Sequence, residues 1–342
     1  MTVESFEEIW KILEEKTGNE IKPGILTRRI LPDSPYDIYL GFEKPGNRRM
    51  IQIKISKENI LNTHSFPRSR GVELHQTVLF EDRDHSVTIE LILIENQYQD
   101  IFTILSEDIV NRCTRENSEK EMIRSFISRL EQWQQFLEQY GVEGLSTVSQ
   151  RGLYGELRFL RDFLIPLIGV EKAVSAWAGP YKAQQDFQTS GIAVEVKTGT
   201  GKLPQKIQIS SEQQLDNSGL NALYLYYLSL KELNDNGETL PAIIDIIRKI
   251  CDSCTGVTST FNELLFHAGY LDDYRNIYEN RGYADRSSHI FLVNSGFPRV
   301  TESQLISGVG DVRYSINLSS CIPFSLSEEE FRSSIKRNLN EH

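Results

Sequence analysis

In the stretch 186–200, DFQTSGIAVEVKTGT, Asp186 is followed nine residues later by Glu195 and eleven residues later by Lys197. Residues 193 to 198 alternate in the manner of a β-strand, which sets Val194 and Val196 on one face and Glu195 and Lys197 together on the other. A carboxylate and an ammonium on one strand face have two readings. They form a solvated ion pair, or they belong to a site in which Asp186 and Glu195 offer oxygen to a hard dication while Lys197 faces a water or a developing negative charge.

Other motifs offer less. In VKTGTGKLP the P-loop pattern would need glycine where Val196 stands and Ser or Thr where Leu203 stands, so that reading fails. The glycines read instead as a turn beside the strand, leaving Lys202 and Lys206 available to an anionic partner. The six histidines contain no H-E-x-x-H pattern. Cys251 and Cys254 form the chain's one C-x-x-C pair, but the nearest histidine, His267, stands alone, and a zinc centre needs more ligands at suitable spacing. They read as thiols at a helix end.

The elements that must position Asp186, Glu195 and Lys197 follow from periodicity. Leu153, Leu157, Leu160 and Leu164 make a helical stripe that predicts a helix over 153–166, with Glu156 on the flank of its apolar face. A short apolar piece at 173–178 follows, then strands around 185–188 and 193–198, the strand KIQIS, a helix opening at SSEQQL, and the strand NALYLYYLSL. Ser210 with Gln213, and Ser211 with Gln214, both match a capping box. Upstream, residues 25–110 alternate strand-like runs with turns such as KPGN and EDRDH, which predicts an antiparallel sheet closed by a short helix at 98–110. Met122, Ile123, Phe126, Ile127, Leu130, Trp133 and Leu137 predict a helix over 118–140 that Gly141 ends. Residues 231–342 read as helical to about 281 and then as a strand pair, HIFLVNSGF and VRYSINLSS. The expected organisation is α+β: an N-terminal α+β domain over 1–115, a linking helix and mixed-sheet α/β core over 116–230, and a helical region over 231–342 that ends in strands.

The segment GLYGELRFL…QQDF…VEVKT resembles the PD-(D/E)XK nuclease superfamily over roughly residues 150–230. Most of the chain resembles a smaller family of bacterial PD-(D/E)XK motif proteins found near phage-defence genes. The weight lies in context, a glutamate-bearing helix before the motif and a helix and strand after it. The resemblance implies a restriction-endonuclease-like core, a mixed sheet flanked by helices, that hydrolyses phosphodiesters of DNA with Mg²⁺, for which Mn²⁺ would substitute. It implies Asp186, Glu195, Lys197 and Glu156 as catalytic residues. Asp186, Glu195, the main-chain carbonyl of Val196 and Glu156 would be the metal ligands, and Gln214 would face a substrate phosphate. Lys182, Lys202 and Lys206 are the expected backbone contacts, with Arg151 or Arg158 beside them. The pattern departs from the superfamily at Gln185, where proline precedes the aspartate; that proline shapes backbone and ligates nothing. The implied setting is a defence or restriction-like system, with other defence proteins such as an ATPase as partners. A scaffold subunit on the same fold, active only with partners, is the alternative reading; an RNA nuclease is a further one.

Composition is compatible with this. The 342 residues are 39% apolar, enough for more than one core, with a net charge of −11. The acidity is uneven: residues 28–70 hold nine Lys or Arg against four acids, 151–210 hold eight against five, and 211–290 hold six against twelve. No run of apolar residues reaches the length of a membrane span, and the N-terminus reads as an acidic amphipathic helix. A cytoplasmic protein with no membrane partner is expected.

Overall fold

In the computed structural model the chain forms two compact units, Met1–Glu143 and Gly144–His342. The structure describes residues 4–17, 23–59, 71–78, 86–201, 204–234 and 236–340. The EDRDH turn and Lys202 lie outside these.

The first unit holds α1 (Phe6–Thr17), β1 (Gly24–Arg29), β2 (Asp37–Lys44), β3 (Arg48–Ser56), β4 (Val72–Val78), β5 (Ser86–Leu93), α2 (Gln99–Cys113) and α3 (Glu119–Tyr140). The strands make one antiparallel sheet in the order β1-β2-β3-β5-β4. Period-2 alternation buries Ile38, Leu40 and Phe42 of β2 and Ile51, Ile53 and Ile55 of β3. Helix α3 begins where Ser118 Oγ accepts the Glu121 N–H and ends at Gly141, whose φ of 71° suits a residue without a side chain. The arginines among the described residues of 28–56 are paired within the unit. Arg28 pairs with Glu4, Arg29 with Asp37, Arg48 with Glu43, and the buried Arg49 with Glu7 and Glu14 at 2.5 and 2.8 Å.

The second unit opens with α4 (Thr147–Phe159), capped by Ser146 Oγ on the Ser149 N–H. It widens through a π-turn at Leu160–Leu164 into α5 (Ile165–Ile168) and α6 (Val170–Ser175). Next come β6 (Phe187–Thr189), β7 (Ile192–Gly199), β8 (Lys206–Ile209), a 3₁₀ turn at Glu212–Leu215, β9 (Ala222–Asn234) and β10 (Glu238–Thr239). After α7 (Leu240–Cys251), α8 (Val257–His267) and α9 (Arg275–Glu279) the chain returns as β11 (Arg281–Leu292), β12 (Tyr314–Asn317), α10 (Leu318–Cys321), β13 (Ser325–Leu326) and α11 (Glu328–Asn340). The main sheet runs β10-β11-β9-β7-β6 with β13 on β11; among the described residues only the β7–β9 pairing is parallel, and β8 pairs with β12 in a separate ribbon.

Strands β7 and β9 lie at the centre, which explains their long apolar runs: nine consecutive residues of β9, Ala222 to Leu230, are buried. On one face Phe159 of α4 meets Phe187 and Tyr226, and Phe331 of α11 meets Tyr224. A side chain on Gly155 would collide with Thr198, so glycine lets α4 lie close on β7. On the other face Ala193, Leu223, Leu225 and Tyr227 pack against Ile207, Ile209, Leu215, Ile316 and Leu318.

Three expectations are revised. The helix expected at SSEQQL is one 3₁₀ turn, and the β7–β9 crossover is covered by the β8–β12 ribbon where a helix is usual. The division falls after Glu143, so the helix over 119–140 belongs to the first unit. Residues 231–342 are not a separate region, because β11 pairs with β9 over most of its length and β12 pairs with β8.

Candidate active site

Strand β7 carries the centre of the site. Its residues Ile192 to Val196 are buried on both faces, and Glu195 is only 1% exposed. Glu195 Oε1 stands 2.6 Å from Lys197 Nζ, yet neither carboxylate oxygen accepts a well-formed hydrogen bond among the described residues. Such a buried group is costly unless something else meets it.

Asp186 immediately precedes β6. Its main-chain carbonyl accepts the N–H groups of Ala178 and Gly179, and its Oδ2 accepts the Val196 N–H at 2.7 Å. Strand β6 pairs with β7 only up to Phe187 and Val194, so beyond that pair the carboxylate of Asp186 takes the place of a strand partner. In an extended strand a residue's N–H and C=O point to the same side, so the Val196 carbonyl faces the side that Asp186 occupies.

Glu156 reaches the same place from α4. Its Oε2 accepts the indole N–H of Trp177 at 2.8 Å. A Cβ built on Gly179 would lie 3.0 Å from Asp186 Oδ1 and 3.1 Å from Glu156 Oε2, so the absence of a side chain there lets the two carboxylates face one small volume.

The electrostatics follow from this crowding. Burial, then the charge of Asp186, pushes the Glu195 carboxyl up to about 8, against the opposing pull of Lys197. Burial raises Asp186, with Lys197 and the Val196 N–H opposing. Burial, then repulsion from Asp186, holds Glu156 well above the carboxylate range although Trp177 donates to it. Lys197 loses solvation, but Glu195 and Asp186 more than compensate and keep it an ammonium.

Three acids that disfavour one another's charge, with one cation among them, suit a bound hard dication. Two further features fit Mg²⁺: every donor is oxygen, and the buried Glu195 carboxylate is met closely only by the Lys197 ammonium. Among the described residues no group of three or more His, Cys, Asp or Glu side chains is set as a ready-made metal centre. The fitting set is two side chains, Asp186 and Glu195, with the Val196 carbonyl, and Glu156, whose Oε2 accepts the Trp177 N–H, faces the same volume beside Asp186.

The expected substrate contacts fare unevenly. Gln214 is spent locally, its Oε1 accepting the Ser210 N–H at 2.9 Å, while the cap of the turn is Ser211, whose Oγ accepts the Gln213 N–H. Lys182 is exposed just past the Gly179–Tyr181 turn, and Lys206 is exposed on β8. Arg151 and Arg158 are committed to Glu232 and Asp285, both at 2.7 Å. Burial pushes the Cys251 thiol up to about 11, away from the thiolate that metal or redox chemistry needs.

Trp177 and Gly179 were not legible as site residues, although AWAGP places an indole donor and a bare backbone position just before Asp186. Gln185, standing where the superfamily has proline, is 2% exposed and donates to the Gln213 carbonyl at 2.9 Å. It ties the Asp186 segment to the 3₁₀ turn, an anchor that proline could not make.

A family model described as "Putative PD-(D/E)XK family member, (DUF4420)" matches residues 6–319. No curated protein and no solved structure gives a match. The mixed sheet with flanking helices, and Glu156, Asp186, Glu195 and Lys197 brought together at its parallel strand, all fall within that span; the chain belongs to this PD-(D/E)XK family.

Proposed function

We propose that the protein is a Mg²⁺-dependent nuclease that hydrolyses phosphodiesters of DNA, with Asp186, Glu195 and the Val196 carbonyl as metal ligands and Glu156 beside them. The observation that carries this is the buried Glu195, without a well-formed hydrogen bond, beside Asp186 and Lys197. When bound, the dication supplies positive charge that polarises a phosphoryl oxygen and acidifies a water.

The chain's own groups have separate roles. Lys197, kept charged by its neighbours, donates to the negative charge that grows on the phosphate and does not act as a base. Trp177 fixes Glu156 by donating to Oε2, which leaves Oε1 as the oxygen able to hold a proton. Asp186 is oriented from both ends, through its carbonyl and through the Val196 N–H. Family resemblance extends the proposal to a component of a bacterial defence or restriction-like system working with partners such as an ATPase.

The test is cleavage of plasmid, single-stranded DNA and RNA by pure protein, with Mg²⁺ or with EDTA. Lys197→Ala should keep Mn²⁺ and DNA binding and lose rate by roughly 10²- to 10³-fold, the loss of one electrostatic donor. Glu195→Ala should lose both Mn²⁺ binding and cleavage. Equal cleavage by Lys197→Ala would reduce the pair to an ion pair, and preferential cleavage of RNA would change the substrate.

A further inference from the structure

The face of β7 that carries Glu195 and Lys197 ends at Gly199, and Gly201 follows just past the strand with a φ of 72°. Neither glycine has room for a side chain. At Gly199 a Cβ would strike Tyr227 Oη, and at Gly201 it would lie 2.8 Å from Arg286 Cδ, 3.3 Å from Arg286 Nε and 3.2 Å from Ser229 Oγ. The pairing of β7 with β9 sets Lys197 opposite Tyr227 and Gly199 opposite Ser229. Ser229 is fully buried and its Oγ makes no well-formed hydrogen bond among the described residues. Beyond Lys197 the chain therefore runs as bare backbone at two glycines, with the buried Tyr227 and Ser229 packed against them and the exposed Arg286 side chain lying over Gly201.

Arg286 arrives there through an irregularity. The register of β11 against β9 shifts between Asp285 and Ser287, leaving Arg286 as the extra residue of a bulge. Bulges re-aim a side chain, and they concentrate beside active sites. Asp285 points to the opposite face, where it pairs with Arg158.

The arginines around it differ from Arg286 in one respect. Arg151, Arg158, Arg161 and Arg281 each meet a carboxylate. Arg286 is exposed and has no ion pair among the described residues. An arginine that serves only solubility needs neither a bulge nor a pair of glycines beside it. Strand rise and strand spacing put it on the order of 10 Å from Lys197. That is about three base-pair steps measured along a duplex axis at ~3.4 Å each.

We propose that Arg286 is a substrate-positioning residue that grips a backbone phosphate of DNA lying across Gly199 and Gly201, a few nucleotides from the phosphodiester at Lys197. The inference rests on the nuclease reading above. Arginine suits the role because its planar fork meets phosphate in a bidentate way that lysine does not reproduce.

The experiment uses the full chain and a fluorescein-labelled DNA oligonucleotide, single-stranded and duplex, titrated in EDTA over a range of salt, followed by cleavage kinetics in Mg²⁺. Arg286→Ala should bind roughly tenfold more weakly. Its plot of log K against log salt should flatten by about 0.7 for the single strand or about 0.9 for the duplex, the loss of one phosphate contact. KM should rise with kcat little changed, and Mn²⁺ affinity should stay at the wild-type value. Arg286→Lys should restore the salt slope and only part of the affinity, and unchanged melting of both variants would exclude a folding defect. If wild type binds and cleaves DNA and Arg286→Ala does so with the same affinity, slope and KM, this inference is wrong while the nuclease reading stands. If wild type neither binds nor cleaves DNA, the nuclease reading itself fails and the role given to Arg286 goes with it.

Discussion

Replacing Glu195 with glutamine should raise the stability of the metal-free protein relative to wild type progressively as pH rises. The carboxyl of Glu195 is 1% exposed and titrates near 8 in the folded chain against an ordinary 4.5. Below about pH 4.5 both folded and unfolded chains hold the proton, and the group contributes nothing. Between about 4.5 and about 8 the unfolded chain gives up its proton and the folded chain keeps it, so stability falls as pH rises. At 1.36 kcal/mol per unit the accumulated cost is on the order of 4 kcal/mol. Glutamine never takes the charge, so Glu195→Gln escapes that cost. It still buries an amide beside Lys197 at a roughly pH-independent penalty of about 1–3 kcal/mol. The telling quantity is therefore the slope. The melting temperature of Glu195→Gln minus that of wild type should grow by roughly 10 °C between about pH 5 and about pH 9, using about 2–4 °C per kcal/mol for a unit of this size. Calorimetric melts in EDTA would measure it. Mn²⁺ added at the upper pH should raise the wild-type melting temperature and leave that of the variant almost unmoved. A difference that stays flat with pH would show that Glu195 carries no strained charge, and the reasoning about this site would fail.

Other outcomes follow from the same geometry. Gly179→Ala, whose Cβ would crowd Asp186 Oδ1 and Glu156 Oε2, should weaken Mn²⁺ binding measured by calorimetry while secondary structure by circular dichroism is retained; full affinity would mean the two carboxylates do not share the volume described. Gly155→Ala should lower the melting temperature through overpacking of about 1–3 kcal/mol, since α4 must lift from Thr198. In the first unit the hydrogen bond from Arg49, with its charge, holds Glu7 below the usual carboxylate range. That contribution is present at neutral pH and lost as pH falls below about 4.5, so Arg49→Met should remove part of the wild-type acid sensitivity in melts taken across that window.

The site was legible where chemistry and strand alternation coincide. Val194 and Val196 against Glu195 and Lys197 is a two-residue period that needs no tertiary information, and a central strand bears it out with those residues on opposite faces. The helix stripe at Leu153 and Leu157 similarly located Glu156 on α4. SSEQQL misled because capping signals describe how a helix starts and not how long it continues. Here Gln214 closes on Ser210, and the chain leaves the turn at Asp216 with extended geometry. The grouping of β11 with β9 was hidden because a long antiparallel pairing between distant segments leaves no local mark. Trp177, Gly179 and Arg286 matter through neighbours far along the chain, and no spacing rule announces them. The charge count over 28–70 misled for a related reason: the carboxylates that neutralise Arg28 and Arg49 come from α1 or its approach, outside the window counted.

The central claim is that Asp186 and Glu195 bind a divalent cation. It is tested most directly by anomalous diffraction from crystals of the wild-type chain soaked in Mn²⁺. The account predicts a peak between the two carboxylates on the side of the Val196 carbonyl, with Lys197 Nζ drawn off Glu195. A saturated soak with no peak there, and Lys197 still closed on Glu195, would contradict it.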